Sequence, residues 1–369
     1  MSAKLMVRPR IKEIFGVLLL ARRIRLDAGE GCVSEIDDPE GRYRRLVVLL
    51  DGSRTIGHLK DELRDVLTPP EVDNALHELD ESGYLEDAVE PHYPDMSRDE
   101  LEGYLDNLDF FDILGPMGEA KYWHQRSLKQ LRVGLIGMGD IGSNVAIALA
   151  QLGVGVVRAV DFDEVQLSDP NGQGSYSTSV VDEAKAGVSR LRTGFDPDTD
   201  FAASARRIRW AEDVADFIDD AAPHIVCCVA DNLDGCINRW VNNACVDRGI
   251  IMIAGSVAAG IGYAYSVTPG RSGCYNCLVA AKRAPKFFQE LGCIRSGDFN
   301  AANGAAGMFH AYFLVYEILR STLGIAAPLT FNRLFEINFA TFEQHFTEFR
   351  KLGHCKVCGA ASAAADDCS

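Results

Sequence analysis

Positive charge is scarce in this 369-residue sequence: 37 Lys and Arg stand against 53 Asp and Glu, a net charge of −16. The resulting field repels nucleic-acid phosphates and anionic membrane surfaces, so neither is expected as a non-specific partner, although local basic patches survive such a balance. A long charge-free apolar run is missing too. The apolar stretch in the N-terminal "MSAKLMVRPRIKEIFGVLLLARRIRL" has about seven residues before Arg22 and Arg23, and the longest later one, "AAGMFHAYFLVYEILRSTLG" (305–324), carries His310 and Glu317. A membrane-spanning helix needs about 20 apolar residues. The first stretch reads as a strand, with a degenerate signal peptide as the alternative; the second reads as a buried helix. No internal repeat is evident. The eleven cysteines come without an export signal, which points to the reducing cytoplasm, where paired thiols bind metal more often than they bridge.

What is present suits a soluble globular protein, with 47% apolar and 24% charged residues. The length exceeds what one ordinary core supports, so two domains of unequal size are expected. Residues 1–90 read as the smaller. Strand-like runs, "FGVLLLARRIRL" and "YRRLVVLL", precede a turn at Asp51-Gly52 and two helices. The first helix, "TIGHLKDELRDVL", has Thr55 as cap and Ile56, Leu59, Leu63 and Leu67 at helical spacing; the second, "PPEVDNALHELDESGYL", opens on prolines and ends near Gly83. Such a chain predicts a small winged-helix-like α+β domain. Residues 91–130 form an acidic, aromatic, partly helical connector. From 131 to 359 strands alternate with helices, which predicts a Rossmann-like α/β domain on a largely parallel sheet. The tail 360–369 is disordered by composition.

"LRVGLIGMGDIGSNVAIALAQLGVGVVRAVDFDE" joins strand, Gly-x-Gly-x-x-Gly turn, helix and second strand. Gly137 permits the tight turn, Gly139 lets phosphate approach the backbone, and Gly142 allows helix to pack on strand. The helix N-terminus adds unpaired N–H groups and a positive dipole end. Asp161, 24 residues after Gly137, ends the second strand where a carboxylate accepts ribose hydroxyls. That geometry suits NAD and ATP equally. Asp163, two residues on, is expected on the same side of the strand.

The residues that follow resemble one family. "GMGDIGSNVAIALAQLGVG", "VDFDEVQLSD", Lys185 in "VVDEAKAGVSRL", "VADNLDGCINRWVNNAC" and "GSVAAGIGYAYSVTPGRSGCYNCL" are similar in order and spacing to the ThiF/MoeB superfamily of adenylyltransferases, which includes peptide-adenylylating enzymes of the microcin C kind. The resemblance implies ATP as the nucleotide, with Asp161 on its ribose, Lys185 on its phosphates and Asp231 on the magnesium ion; Ser168 and Asn232 sit beside these positions. It also implies a homodimer. Two departures accompany it. The family places Arg four residues after the serine of this loop, where Gly172 stands here, and supplies another Arg from the connector, where Asp106 stands. Arg190, Arg192 or Arg239, a realigned loop, or a backbone nest in "PNGQG" are the candidates to take over.

"CYNC" (Cys274, Cys277) and "CKVC" (Cys355, Cys358) supply four thiolates, the set for a closed structural Zn²⁺ site. Both pairs read as turns. Cys293 falls where sulfur-transfer members of the superfamily keep a reactive cysteine, with an unreactive loop cysteine as the alternative. Cys227, Cys228, Cys236 and Cys245 read as core.

The N-terminal pattern "LLDGSRTIGHLKDEL…LTPPEVDNALHELDESGYLED" resembles PqqD-like leader-binding domains, which implies a precursor-peptide partner captured as an added strand. Together these readings lead to ATP-dependent activation of a carboxyl or amide group of a ribosomally made precursor peptide. Two alternatives stand beside it: a non-catalytic component presenting the peptide to a separate modifying enzyme, and activation of a ubiquitin-like sulfur carrier. A dehydrogenase ranks last, because no acid–base histidine accompanies the glycine turn.

Overall fold

The computed structural model describes residues 6–27, 33–89, 96–114, 122–164, 185, 199–230, 236–281 and 303–359. Ser168, Gly172, Arg190, Arg192, Asp231, Asn232, Cys293 and the tail 360–369 lie outside the described residues. The chain divides into two compact units, residues 1–124 and 125–369.

In the smaller unit β1 (Pro9–Ile11) pairs antiparallel with β5 (Leu85–Asp87), and β2 (Gly16–Leu19), β3 (Arg23–Asp27) and β4 (Val33–Asp37) form an antiparallel sheet in that order. The N-terminal run expected as one strand is thus β1 plus a hairpin. The run "YRRLVVLL" is also not a strand but α1 (Arg42–Leu49). Its helical start comes from Asp38, whose buried carboxylate accepts the N–H groups of Tyr43 and Arg44 at 3.2 and 3.0 Å. Its helical face is Leu46, Val47 and the following Leu50, all buried.

Helices α2 (Ile56–Glu62) and α3 (Pro69–Glu81) follow from their caps. Thr55 Oγ1 accepts from the His58 N–H at 3.3 Å, and Thr68 with Glu71 closes a capping box. Leu59, Leu63, Leu67, Val72 and Leu76 bury against Ile24 and Leu26 of β3. The connector continues as α4 (Arg98–Gly103) and α5 (Leu105–Leu114), and α6 (Tyr122–Gln130) leads onward. A buried ion pair, Lys12 Nζ to Asp112 Oδ1 at 2.6 Å, holds α5 to the loop after β1.

The larger unit is an eight-stranded mixed sheet. Strands β6 (Arg132–Ile136), β7 (Val156–Val160), β8 (Asp200–Ser204), β9 (Ile225–Cys228) and β10 (Ile251–Ala258) run parallel in the order β10-β9-β6-β7-β8. β11 (Ile261–Val267), β12 (Arg333–Asn338) and β13 (Gln344–Glu348) extend it antiparallel beyond β10. The chain moves outward from β6 to β8 and then crosses back to β9. That reversal opens a crevice beyond the carboxyl ends of β6 and β9, the place where open α/β sheets take ligands.

Helices α7 (Asp140–Gln151), α8 (Ala211–Ala221), α9 (Cys236–Arg248), α10 (Tyr275–Ala281) and α11 (Gly304–Leu323) accompany the sheet. α11 is the buried helix expected at 305–324, and it packs on α7 and β10. Its His310 Nε2–H donates to the Tyr263 carbonyl at 2.8 Å, and burial pushes the imidazole pKa down to about 4. Glu317, fully buried, accepts from Arg320 at 2.7 Å and from the N–H of Thr330 at 2.9 Å, which fixes the chain beyond the helix. Among the described residues no helix is long and apolar enough to cross a membrane.

Candidate functional site

β6 ends at Ile136 and the chain turns at once. Gly137 has φ +100°, and a Cβ on it would lie 2.8 Å from the backbone nitrogen of Ala230, just past β9. A side chain on Gly142 would lie 2.0 Å from the Gly137 carbonyl oxygen, so the helix can seat on the strand only with glycine there. Gly139, the N-cap of α7, is different: among the described residues a Cβ there would meet nothing within 4 Å. Two glycines are demanded by protein packing, and the third keeps an open face in front of a helix N-terminus. The first turn of a helix leaves N–H groups without intrahelical partners, which suits an anion at this place.

Main-chain links bring the other candidates to this turn. Asp161 Oδ2 accepts the Met138 N–H at 2.5 Å, and Oδ1 accepts the Asp163 N–H at 2.8 Å. The N–H of Lys185 donates to the Asp163 carbonyl at 2.9 Å, and Lys185 is only 6% exposed. Glycine turn, Asp161, Asp163 and Lys185 therefore form one connected group. The alternation expected for Asp163 does not apply, because β7 ends at Val160 and Asp161 makes a local turn with Asp163 instead. Asp106 is exposed in the first turn of α5, and Arg239 is exposed on α9.

No sequence motif singles out Arg207. Its guanidinium carbon lies 4.5 Å from the ring centroid of Phe162, the residue between the two acids. The available signal was "RRIR", beginning two residues past the end of β8.

The second constellation is the cysteine cluster. The Sγ atoms of Cys274, Cys277, Cys355 and Cys358 all lie within 4.8 Å of one another, and all four residues are buried. Individual separations are 3.9 Å for Cys274–Cys277, 3.6 Å for Cys274–Cys355 and 3.5 Å for Cys277–Cys358. A tetrahedral ion with Zn–S bonds of about 2.3 Å sets its sulfurs about 3.8 Å apart, so the donor set and its dimensions suit such an ion. The Leu352 N–H donates to Cys277 Sγ at 3.4 Å, as loops that wrap a thiolate-bound metal do. Burial pushes Cys274 up to about 11. At Cys355 burial acts in the same sense, but the N–H groups of Cys358 and Val357 outweigh it and hold the thiol down to about 7. The first pair is not in a turn throughout, since Cys277 lies inside α10, whose first residue is Tyr275. Cys227, Cys228 and Cys245 are buried core as expected, while Cys236 is half-buried at the start of α9.

Comparison with known proteins agrees with this layout. The "Sulfur carrier protein ThiS adenylyltransferase" of Escherichia coli K12 is 29% identical over 241 residues, covering 65% of this chain and 90% of that protein. Crystal structures of E. coli MccB superpose over far more of the chain. The complex with ATP gives a TM-score of 0.73 at 16% identity, covering 95% of this chain and 99% of that one. The complex with MccA-N7isoASN gives 0.73 at 17% identity, again over 95% and 99%. The sheet, the glycine turn and the four clustered cysteines all fall within residues 107–359, the span matched by the model of the ThiF family, and the chain belongs to that family.

Proposed function

We propose that the protein is a cytoplasmic, ATP-dependent adenylyltransferase that activates a carboxyl or amide group of a ribosomally made precursor peptide, with the leader held by the N-terminal unit. The observation that carries the peptide reading is a free apolar sheet edge. Among the described residues β2 pairs only with β3, and Val17, Leu18 and Leu19 are exposed along it. Beside that edge lies a cavity of about 360 Å³ lined by Lys12, Phe15, Val17, Leu19, Val47 and Val48. An open strand edge offers main-chain hydrogen bonds, and the cavity offers a side-chain pocket, the two elements of peptide capture by strand addition. Replacing Leu18 by Glu is expected to weaken binding of the precursor at least about tenfold without changing the melting temperature, read by fluorescence anisotropy with labelled peptide. Unchanged affinity would place the peptide elsewhere.

In the larger unit the peptide oxygen attacks the α-phosphorus of ATP and pyrophosphate leaves. Gly139 and the N-terminus of α7 receive phosphate, Asp161 the ribose hydroxyls, and Lys185 offsets charge developing on the non-bridging oxygens. Asp231 would hold Mg²⁺, which neutralises the leaving pyrophosphate when bound; Asn232, the next residue, and Ser168, seven residues after Asp161, are second-rank candidates beside these positions. Asp231 follows Ala230, whose backbone abuts Gly137, and this favours that placement. Zn²⁺ on Cys274, Cys277, Cys355 and Cys358 would staple the fold, since four thiolates leave no open ligand position. Phe309, Tyr312 and Tyr316 line one exposed face of α11 beside exposed Phe342, a surface suited to the second copy of a homodimer.

The test is release of pyrophosphate and AMP from ATP, dependent on both Mg²⁺ and the short peptide encoded in the gene neighbourhood. No AMP, pyrophosphate, ADP or phosphate with that peptide would refute the enzyme reading. The E. coli ThiS adenylyltransferase relative favours a second reading, activation of a sulfur carrier, with Cys293 as acceptor. A neighbouring gene for a carrier ending in Gly-Gly, and lost transfer after Cys293→Ala, would select it.

A further inference from the structure

We infer that Gly307 is a positioning residue for nucleotide binding: by lacking a side chain it gives the carboxylate of Asp140 a seat against α11 and keeps that negative charge off the phosphates. The inference rests on the nucleotide reading above. Asp140 is the first residue of α7, next to Gly139, and so stands where phosphate is received. The Cα–Cβ bonds of a helix tilt toward its N-terminus, and a carboxylate there is drawn to the same positive end that an anion would use. An acid at this place competes with phosphate unless it is turned aside.

The first turn of α11 turns it aside. A Cβ on Gly307 would lie 1.8 Å from Asp140 Oδ2, 2.4 Å from its Cγ and 2.8 Å from Oδ1, so the carboxylate fills the space that a side chain at 307 would take. Gly307 is helical and has no positive φ, so the backbone itself makes no demand for glycine there. It is the fourth residue of α11, and the positive end of this second helix compensates the charge seated beside it. Asn303 fixes that end: its side chain accepts the Ala306 N–H at 2.9 Å, and its carbonyl accepts the Gly307 N–H at 3.0 Å. The backbone of Asp140 is held as well, because its carbonyl accepts from Asn144 Nδ2 at 2.7 Å and from Ser143 Oγ at 3.3 Å, both from buried residues. With both backbones pinned, a methyl at 307 expels the carboxylate by rotation about χ1, away from α11 and toward the open face in front of Gly139.

The experiment is a double-mutant cycle on ATP affinity, measured by titration calorimetry in Mg²⁺ with the full-length protein. Gly307→Ala is expected to weaken ATP binding at least about tenfold, the scale of one like-charge contact at a partly solvated site. In a background where Asp140→Asn has removed the charge and kept the shape, the same Gly307→Ala change should cost less than about threefold. Asp140→Glu gives an independent reading with α11 untouched, and it serves even where Gly307→Ala does not fold. Its carboxylate is one methylene too long for the seat, so it should weaken ATP binding well beyond Asp140→Gln, which has the same length and no charge. Wild-type affinity in Gly307→Ala would overturn the inference. Equal losses in the two backgrounds, or in Asp140→Glu and Asp140→Gln, would overturn it too, because bulk and not displaced charge would then be the cause. A wild-type protein that binds no ATP would instead remove the nucleotide reading itself.

Discussion

Purified protein is expected to contain one zinc ion per chain, and Cys274→Ser is expected to lose it together with about 10 °C or more of melting temperature. The sulfur of Cys274 lies 3.6 Å from Cys355 and 3.9 Å from Cys277, inside the larger unit's core among Tyr275, Leu278, Val267, Leu334 and Phe349. Without an ion, four thiols packed this closely in an apolar core would have only one another and a few backbone N–H groups, such as that of Leu352, as weak hydrogen-bond partners. With one, they tie α10 to the chain just beyond β13, a closure across more than 70 residues. Structural zinc sites contribute folding free energy directly, about 10–16 kcal/mol in isolated zinc-binding peptides, so loss of one ligand should forfeit several kcal/mol here. In a unit of this size about 1 kcal/mol moves the melting temperature by roughly 2–4 °C. Cys245→Ser is the control. It also places a hydroxyl in the core but lies outside the cluster, and it should keep its metal. Elemental analysis and calorimetric scans decide the matter. Metal-free protein whose melting is indifferent to a chelator would refute the zinc assignment.

The parts of the molecule legible in the sequence are those where one residue type meets one local demand. Gly137 and Gly142 are required by contacts of 2.8 and 2.0 Å that any side chain would make, and such requirements leave a fixed spacing behind. Thr55, Thr68 and Glu71 announce helix starts for the same reason. The misread segment was decided at longer range. "YRRLVVLL" carries strand propensity, yet Tyr43, Leu46, Val47 and Leu50 also recur at helical spacing, and the core formed by α2, α3 and β3 takes that face. The cue was upstream, in Asp38, whose carboxylate caps the helix across a left-handed Gly41 at φ +72°. The antiparallel extension β11–β13 depends on pairings between distant segments, such as Ile261 with Asn338, that no local pattern encodes. Arg207 escaped notice because its meaning comes from β7 and β8 lying side by side, which places residue 207 over residue 162.

Lys185→Met is expected to lower peptide-dependent pyrophosphate release by about 10²–10³-fold, equivalent to about 2.7–4 kcal/mol, while leaving peptide affinity unchanged. Lys185 is almost fully buried, and methionine keeps an unbranched apolar stem of similar length, so the variant removes the charge with little change in packing. Asp161 and Asp163 stand within the same connected group, and the whole chain carries a net charge of −16. A triphosphate entering such surroundings needs local cations, and the sequence resemblance puts Gly172 and Asp106 where arginines are expected in the family. With those charges gone, more of the compensation at the reacting phosphorus rests on Lys185 and Mg²⁺, so the loss should fall toward the larger end of the range. Because the ammonium acts on charge that develops as pyrophosphate departs, the effect belongs mainly in kcat, and the KM for ATP should change far less. Rapid-quench measurement of AMP and pyrophosphate separates the two. Product formation undiminished in Lys185→Met, with peptide binding retained, would favour a component that presents the peptide to another enzyme over one that activates it.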